Sequence, residues 1–362
     1  MLIAKQRFVL ENTSHQDTQE KRQLEALRED AGLLWRHLQQ HDVTDVVVNA
    51  DGKVWAKRAG LGFGEVGFFA PQETKRLLLE VASIKEVEFN HSHPILQTDF
   101  PLDGSRIEGV CSPVVHGAIL ALRTRPRKIY TLEDFVSSRI ITHKADPVNK
   151  CRRRSTLIDT LGDLDHASVI ELAVKNYLNI LIAGATGSGK TTGINMLLDL
   201  VTRWCPSDRV LTIEDTLELQ CTVPNTVALF ENAAHHVSMW DCLKASMRLI
   251  PTRIVVGEVR DAAAHVMLMA WNTGHPGGFA SIHANSALEA LFRIERCLSI
   301  PGREGVHTSL SHASVRPEIA RVVNLVLFFE GDDELPAGRK LREVLLVKGY
   351  NPDTDTYDCE YV

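Results

Sequence analysis

One short segment, residues 184–191, constrains this chain more than any other part of its sequence. It reads Gly-Ala-Thr-Gly-Ser-Gly-Lys-Thr and matches the spacing G-x-x-x-x-G-K-[ST] in full. An apolar run at 179–183 precedes the segment and predicts a buried strand, and a helical apolar spacing follows it, at Ile194, Leu197, Leu198, Val201 and Trp204. A glycine-rich turn between a strand and a helix presents inward-facing amides and a positive helix end. The segment therefore predicts a phosphate-binding loop.

The residues of this loop have separable roles toward a nucleoside triphosphate. We expect contacts to bound ATP from Gly184, Ala185, Thr186, Gly187, Ser188, Gly189, Lys190, Thr191 and Thr192. The Lys190 ammonium is predicted to lie between the β- and γ-phosphates, and the Thr191 hydroxyl to bind Mg²⁺. ATP and Mg²⁺ are thus the expected ligands.

Two acidic residues follow apolar runs that predict further strands. Glu258 comes just after the run 253–256, and Glu214 comes directly after 209–213. Because the carboxyl ends of parallel strands meet at one edge of a sheet, both acids should lie near the phosphate loop. We expect Glu258 to hold Mg²⁺ through its water shell and Glu214 to polarise the attacking water, although these roles could be exchanged.

A histidine follows another predicted strand, at 278–282. In that position His283 would lie near the γ-phosphate and could sense its presence. A histidine taken alone is more often a buried side chain with satisfied hydrogen bonds, so position after a strand is what favours the sensing role.

The 362 residues are enough for two domains. A helix at 23–38, a hairpin at 43–57 and a helix at 74–87 predict a small α+β domain over 1–144. Residues 145–155 are polar and basic, and they predict a linker that is either solvated or in contact with anionic lipid or nucleic acid. From 156 to 362, apolar runs alternate with helical stretches, which predicts an α/β fold with a parallel sheet; a last strand is expected at 322–329.

Charge and hydropathy exclude several classes of protein. The formal net charge of −6 lies entirely after residue 145, which argues against a broad nucleic-acid surface there, and no sequence-specific binding to nucleic acid is expected. No apolar run is long enough to span a membrane, and the first ten residues do not resemble a secretory signal. The seven scattered cysteines form no zinc spacing. These patterns predict a cytoplasmic protein.

The order of these motifs resembles that of the type II/type IV secretion traffic ATPases. Residues 184–191, 212–215, 254–261 and 273–285 are similar to the Walker A, Asp box, Walker B and His box of that superfamily. Within it, 270–278 and 281–285 most resemble the TrbB-type conjugal-transfer ATPases, as do 43–55 and 103–106 in the first domain. Thr216 departs from the proline that many relatives have there, which predicts a different setting for the loop with these acids.

This resemblance implies a homohexameric ring of subunits, each with a RecA-like P-loop core and a PAS-like amino-terminal domain. It further implies that Arg260 communicates between subunits and that an amino-terminal arginine, Arg106 or Arg123, reaches the nucleotide phosphates. The ring would be cytoplasmic and peripheral to the inner membrane, with inner-membrane secretion or pilus components as partners.

Several functions are compatible with these motifs. The favoured one is a hexameric ATPase whose hydrolysis-driven domain motion powers assembly or substrate transfer in conjugative type IV secretion. A type IV pilus or type II secretion motor would use the same ATPase core and is an alternative. A RecA-like nucleic-acid translocase and a nucleotide-gated scaffold with negligible turnover are further alternatives, which stimulation by single-stranded DNA and steady-state phosphate release would distinguish.

Overall fold

The computed structural model of the protein describes residues 2–125, 131–141, 156–300 and 312–362. The chain divides into two units, Met1–Arg127 and Lys128–Val362. The predicted basic linker at 145–155 lies outside the described residues, so the predicted domain boundaries stay predictions. No helix in the described ranges combines the length and the apolar character that crossing a bilayer requires.

The first unit is built on a six-stranded antiparallel sheet. Its helices are α1 (Leu2–Leu38) and α2 (Pro71–Ile84), and its strands are β1 (Val43–Val48), β2 (Lys53–Arg58), β3 (Gly62–Phe68), β4 (Ile95–Asp99), β5 (Arg106–Cys111) and β6 (Ala118–Arg123). The strand order is β3-β2-β1-β6-β5-β4. Leucines at helical spacing in α1 (Leu27, Leu34 and Leu38) share one core with buried residues of the sheet. The predicted first helix, hairpin and second helix are all present.

The second unit carries an eight-stranded sheet with helices between most of its strands. The helices are α3 (Leu132–Ser137), α4 (His166–Lys175), α5 (Lys190–Trp204), α6 (Met239–Arg248), α7 (Ala263–Asn272), α8 (Ala287–Leu298) and α9 (His312–Val322). The strands are β7 (Ile180–Ala183), β8 (Arg209–Glu214), β9 (Asn225–Phe230), β10 (Arg253–Val256), β11 (Phe279–Ile282), β12 (Leu325–Gly331), β13 (Arg339–Asn351) and β14 (Thr356–Tyr361). Their order is β14-β13-β12-β7-β11-β10-β8-β9.

Six neighbouring strands of this sheet, from β12 to β9, are parallel. Every residue of β7, β8, β10 and β11 is buried, as expected for strands covered on both faces. Because parallel strands end at the same edge, the loops after β7, β8, β10 and β11 meet there. The α/β class predicted for this part of the chain is confirmed.

The sheet extends further than the sequence pattern predicted. Strand β9 adds one edge, and β13 and β14 pair antiparallel beside β12 at the other edge. The prediction ended at β12 because these strands mix buried and exposed residues instead of forming apolar runs; β13 is buried only in its middle.

A buried arginine joins several elements at the amino ends of the parallel strands. The Arg253 side chain is fully buried at the start of β10, and its Nε donates to Asp208 Oδ2 over 2.6 Å. Its two terminal nitrogens donate to the carbonyls of Gly277 (3.0 Å) and Val174 (2.9 Å). The guanidinium also lies 4.1 Å from the centre of the Tyr177 ring. One charged side chain thus connects β10, the end of α4 and the loop before β11.

Candidate functional site

The predicted phosphate loop lies between β7 and α5, as its sequence context indicated. Gly187 and Gly189 have φ values of 77° and 99°, which glycine adopts without steric cost. Gly189 directly precedes Lys190, the first residue of α5. The loop therefore leads into a helix whose unpaired amides and positive dipole end favour a bound anion.

Gly184 is required by close packing. A Cβ atom built on this residue would lie 2.3 Å from Ser188 Oγ and 2.4 Å from the Phe329 carbonyl oxygen. The first glycine of the loop is thereby held against the end of β12, and a larger residue would displace the loop from that strand.

The Lys190 side chain is buried within the loop, with 8% of its surface exposed. Its Nζ donates to the carbonyl oxygens of Gly184 (3.0 Å) and Ala185 (2.9 Å) and lies 3.4 Å from His283 Nδ1. Desolvation lowers the pKa of this ammonium, and the nearby Glu258 carboxylate acts in the opposite direction. The ammonium is therefore held inside the loop, next to the predicted sensing histidine.

Glu214 is the buried last residue of β8, and its two carboxylate oxygens are bonded differently. Oε1 accepts hydrogen bonds from the amides of Glu218 (2.9 Å) and Leu219 (2.8 Å). Oε2 is buried and has no hydrogen-bond partner among the described residues. Burial raises the pKa of this carboxyl above its ordinary value. Glu214 thus has one oxygen that accepts two backbone hydrogen bonds and a second oxygen without a partner among the described residues.

Glu258 lies at the centre of a chain of charged side chains. Its Oε1 is 3.0 Å from His283 Nε2, and its Oε2 accepts a hydrogen bond from Arg260 Nη2 over 3.0 Å. Arg260 Nη1 in turn pairs with Asp215 Oδ2 at 2.9 Å. The hydrogen bond to Glu258 is the main reason that the pKa of Arg260 is raised. These ion pairs link the carboxyl ends of β8, β10 and β11.

These side chains line one cleft of about 500 Å³. Of the residues predicted as catalytic, the cleft is lined by Lys190, Glu214, Glu258, Arg260 and His283. Of the predicted loop residues, it is lined by Thr186, Gly187, Gly189, Lys190, Thr191 and Thr192. The structure therefore brings the predicted acids, histidine and arginine of the second unit together at the phosphate loop.

Among the cleft residues that the sequence analysis did not predict for the site, Glu218 and Arg339 contact the start of α5 through their side chains. Glu218 Oε2 accepts a hydrogen bond from the Thr191 hydroxyl over 3.0 Å, and Arg339 Nη1 donates to the Thr192 hydroxyl over 2.5 Å. Neither belongs to a recognisable motif. Arg339 begins β13, a strand that the apolar pattern did not predict, so no signal in the sequence pointed to it.

The two predicted phosphate-binding arginines of the first unit are cross-strand neighbours. Arg106 on β5 pairs in register with Arg123 on β6. Both side chains are exposed, and Arg123 Nε donates to the buried Asp45 Oδ1 over 2.8 Å. Their predicted contact with nucleotide phosphates stays a prediction.

The oxygen atoms at the loop suit a hard cation such as Mg²⁺. The Thr191 hydroxyl lines the same cleft as the carboxylates of Glu214 and Glu258, and the buried Ser188 Oγ and Glu214 Oε2 lack hydrogen-bond partners within the described ranges. No group of three or more His, Cys, Asp or Glu residues in those ranges forms a metal-binding cluster. Mg²⁺ does not require one, because it is commonly held by one or two protein oxygens, water and substrate phosphates.

Comparison with known proteins shows which family the chain resembles. Residues 152–326 match the family described as "Type II/IV secretion system protein". The conjugal transfer protein TrbB of Rhizobium radiobacter is 34% identical over 308 residues, which cover 85% of this chain and 84% of that protein. The type IV secretion system protein PtlH of Bordetella pertussis is 29% identical over 303 residues, covering 81% and 87%.

One solved structure is similar to this chain over most of its length. It is the crystal structure of the VirB11 ATPase from the Brucella suis type IV secretion system in complex with sulphate, with a TM-score of 0.79 and 25% identity. The match covers 93% of this chain and 98% of that chain.

Proposed function

Since this chain belongs to the type II/IV secretion system protein family, with TrbB conjugal transfer proteins among its relatives, we propose that it is an ATPase of conjugative type IV secretion. In this proposal the second unit is a RecA-like core and the first a PAS-like domain. The observation that carries it is the meeting of Lys190, Glu214, Glu258 and His283 in one cleft beside the phosphate loop.

ATP binds with its phosphates in the loop. The Lys190 ammonium exchanges its two carbonyl partners for oxygens of the β- and γ-phosphates, which are stronger acceptors because they carry full charge. When bound, Mg²⁺ neutralises charge on the β- and γ-phosphate oxygens; Thr191 would hold it directly and Glu258 through water.

Glu214 is the better candidate for orienting the attacking water, because its Oε2 is unpartnered among the described residues and its pKa is raised. Water attacks the γ-phosphorus, the bond to the β–γ bridging oxygen breaks, and ADP carries that oxygen away. The proton of the water passes to the Glu214 carboxylate. Glu258 is less suited to this role since both its oxygens are engaged by His283 and Arg260.

His283 reports the loss of the γ-phosphate. It lies between the Lys190 ammonium and the Glu258 carboxylate, so a change in the charge on either side alters its hydrogen bonds. In the proposed cycle, this change and the release of Arg106 or Arg123 from the phosphates lead to motion of one domain against the other.

The ATPase works as a homohexamer in the cytoplasm, peripheral to the inner membrane. Arg260 communicates between neighbouring subunits, and inner-membrane secretion or pilus components are the docking partners. Family membership supports the secretion role, while the ring and these partners are the further parts of the proposal.

Phosphate release by the purified full chain tests the proposed activity. The wild type should hydrolyse ATP, and Lys190→Met should abolish turnover because it removes the charge but keeps most of the apolar stem. Lys175→Met serves as the control, since Lys175 lies on α4 and pairs with Glu171 outside the cleft. Equal turnover by wild type and Lys190→Met would refute the assignment of the loop.

A further inference from the structure

Arg339 is a cation of the nucleotide cleft that neither the motifs nor the proposed mechanism uses. It lies at the start of β13, where it pairs in register with Gly331 of β12. β12 is the direct neighbour of β7, whose end forms the phosphate loop. The hairpin between β12 and β13 therefore carries Arg339 to the loop from a part of the chain 147 residues away from its partner Thr192.

The side chain contacts the loop closely. Arg339 Nη1 donates to the Thr192 hydroxyl over 2.5 Å, and Nε donates to the Ala337 carbonyl oxygen over 3.0 Å. A Cβ atom on Gly189 would lie 2.6 Å from Arg339 Cδ. The arginine stem thus packs over the glycine that precedes α5, and the guanidinium lies beside the second threonine of the helix.

The electrostatic setting of Arg339 differs from that of Arg260. Arg260 is paired with two carboxylates, whereas Arg339 has no ion pair within the part of the chain that the structure describes. The cleft also contains Glu214, Asp215, Glu218 and Glu258, so an anionic ligand meets considerable negative charge there. A cation without a carboxylate partner is the group best able to offset it.

The position of Arg339 along the loop indicates which phosphate of a bound nucleotide it would contact. Lys190 Nζ lies among the Gly184 and Ala185 carbonyls and His283, and this is the end of the cleft assigned to the γ-phosphate. Arg339 instead contacts Gly189 and Thr192, which lie at the start of the helix. Backbone amides of a phosphate loop hold the α- and β-phosphates, whereas its lysine reaches the β- and γ-phosphates, so a cation beside the amides rather than beside the lysine lies toward the nucleoside.

We propose that Arg339 is a nucleotide-binding residue that contacts the α-phosphate of bound ATP and ADP. This inference rests on the proposed function, because it assigns a further contact within the same nucleotide site. Arginine suits the role, since its planar fork can bond to phosphate oxygens while part of it stays on Thr192.

Binding of ATP and ADP to the full chain in the presence of Mg²⁺ tests the proposal. Arg339→Met should weaken both nucleotides by the same factor, about 10-fold, because both carry an α-phosphate. Arg339→Lys should show a smaller loss, because it keeps the charge but not the fork. At saturating ATP the turnover rate should stay near that of the wild type, so the defect appears in KM.

Arg342→Met is the matched control. Arg342 lies on the same strand but pairs with Glu330 and Asp332 and does not line the cleft. Its affinity for both nucleotides should equal that of the wild type. The thermal midpoints of all variants without nucleotide identify any loss that comes from unfolding.

Three results would overturn the inference. Unchanged affinity in Arg339→Met would leave Arg339 as a structural contact to Thr192, and selective weakening of ATP with a fall in kcat would place it at the γ-phosphate. Equal losses in Arg342→Met would indicate a general effect of the strand. If the wild type itself binds neither nucleotide, the proposed function fails, which is a separate outcome.

Discussion

Glu214 is the last residue of β8 and Glu258 follows the adjacent strand β10, but their carboxylates have different surroundings. Glu258 is shared between His283 and Arg260, while Glu214 uses only Oε1, as the acceptor for two backbone amides. Replacements that keep or remove this acceptor therefore separate the catalytic role of Glu214 from its structural role.

Glu214→Gln should slow ATP hydrolysis by at least about 100-fold while the protein stays folded, because the amide oxygen still accepts both hydrogen bonds. Glu214→Ala should additionally lower the free energy of unfolding by about 1 to 3 kcal/mol, since the buried Leu219 amide and the partly buried Glu218 amide lose their acceptor. Single-turnover phosphate release and urea unfolding measure the two effects. Wild-type hydrolysis in Glu214→Gln would exclude this residue as the group that activates water.

The raised pKa of Glu214 predicts opposite pH trends for activity and stability. Hydrolysis should increase as the pH rises through this pKa, because the carboxylate is the active form, and Glu214→Gln should lack this rise. A carboxyl with a folded pKa above its ordinary value of 4.5 contributes stability below that value and loses it as the pH rises through the folded pKa. The unfolding free energy of the wild type relative to Glu214→Gln should therefore fall over the same pH range, which a urea series at several pH values would measure. Parallel pH curves for the two proteins would contradict this.

At the residue scale, the sequence predicted which residues lie at the phosphate loop better than it predicted their hydrogen bonds. The loop and the two acids were predictable because a fixed spacing and a strand-end position determine where they lie. Glu214 binds two amides through one oxygen and leaves the other without a partner among the described residues. This arrangement depends on how residues 215–219 fold back, which the spacing of residues in the sequence does not encode. The position of Arg339 depends on the register between β12 and β13, which the local sequence pattern does not encode.

At the element scale, the parallel strands depend on the buried Arg253. It joins β10 to Asp208, and removing it leaves that carboxylate buried and without its cation. Arg253→Met should lower the free energy of unfolding by about 3 to 5 kcal/mol. The exposed pair of Arg203 and Asp199 provides the control, and Arg203→Met should cost less than about 1 kcal/mol. Urea unfolding measures both, and equal losses would contradict the importance of burial.

The strands that the sequence predicted in the second unit are mainly those in which every residue is buried. β7, β8, β10 and β11 are buried on both faces and therefore read as continuous apolar runs. β9 alternates buried and half-buried residues and β13 is exposed at its start, so neither produces such a run. Strands that are only partly buried depend on pairing with neighbouring strands, which a local pattern does not contain.

At the scale of the whole molecule, ring formation is the main prediction. The full chain should have six times the mass of its subunit, and nucleotide should favour the ring because Arg260, which lines the nucleotide cleft, is proposed to communicate between subunits. Light scattering after size-exclusion chromatography, with and without a non-hydrolysable ATP analogue, measures this. A monomer under both conditions would contradict the hexamer but leave the nucleotide site untouched.

The carbonyl contacts of Lys190 have a thermodynamic consequence. Any anion that reaches this ammonium competes with two internal acceptors already in place, so a measured dissociation constant is a difference between two sets of bonds. The intrinsic affinity of the loop for its ligand is accordingly greater than the affinity that a titration measures. Weak anions bind poorly because they cannot displace the two carbonyl oxygens from the ammonium.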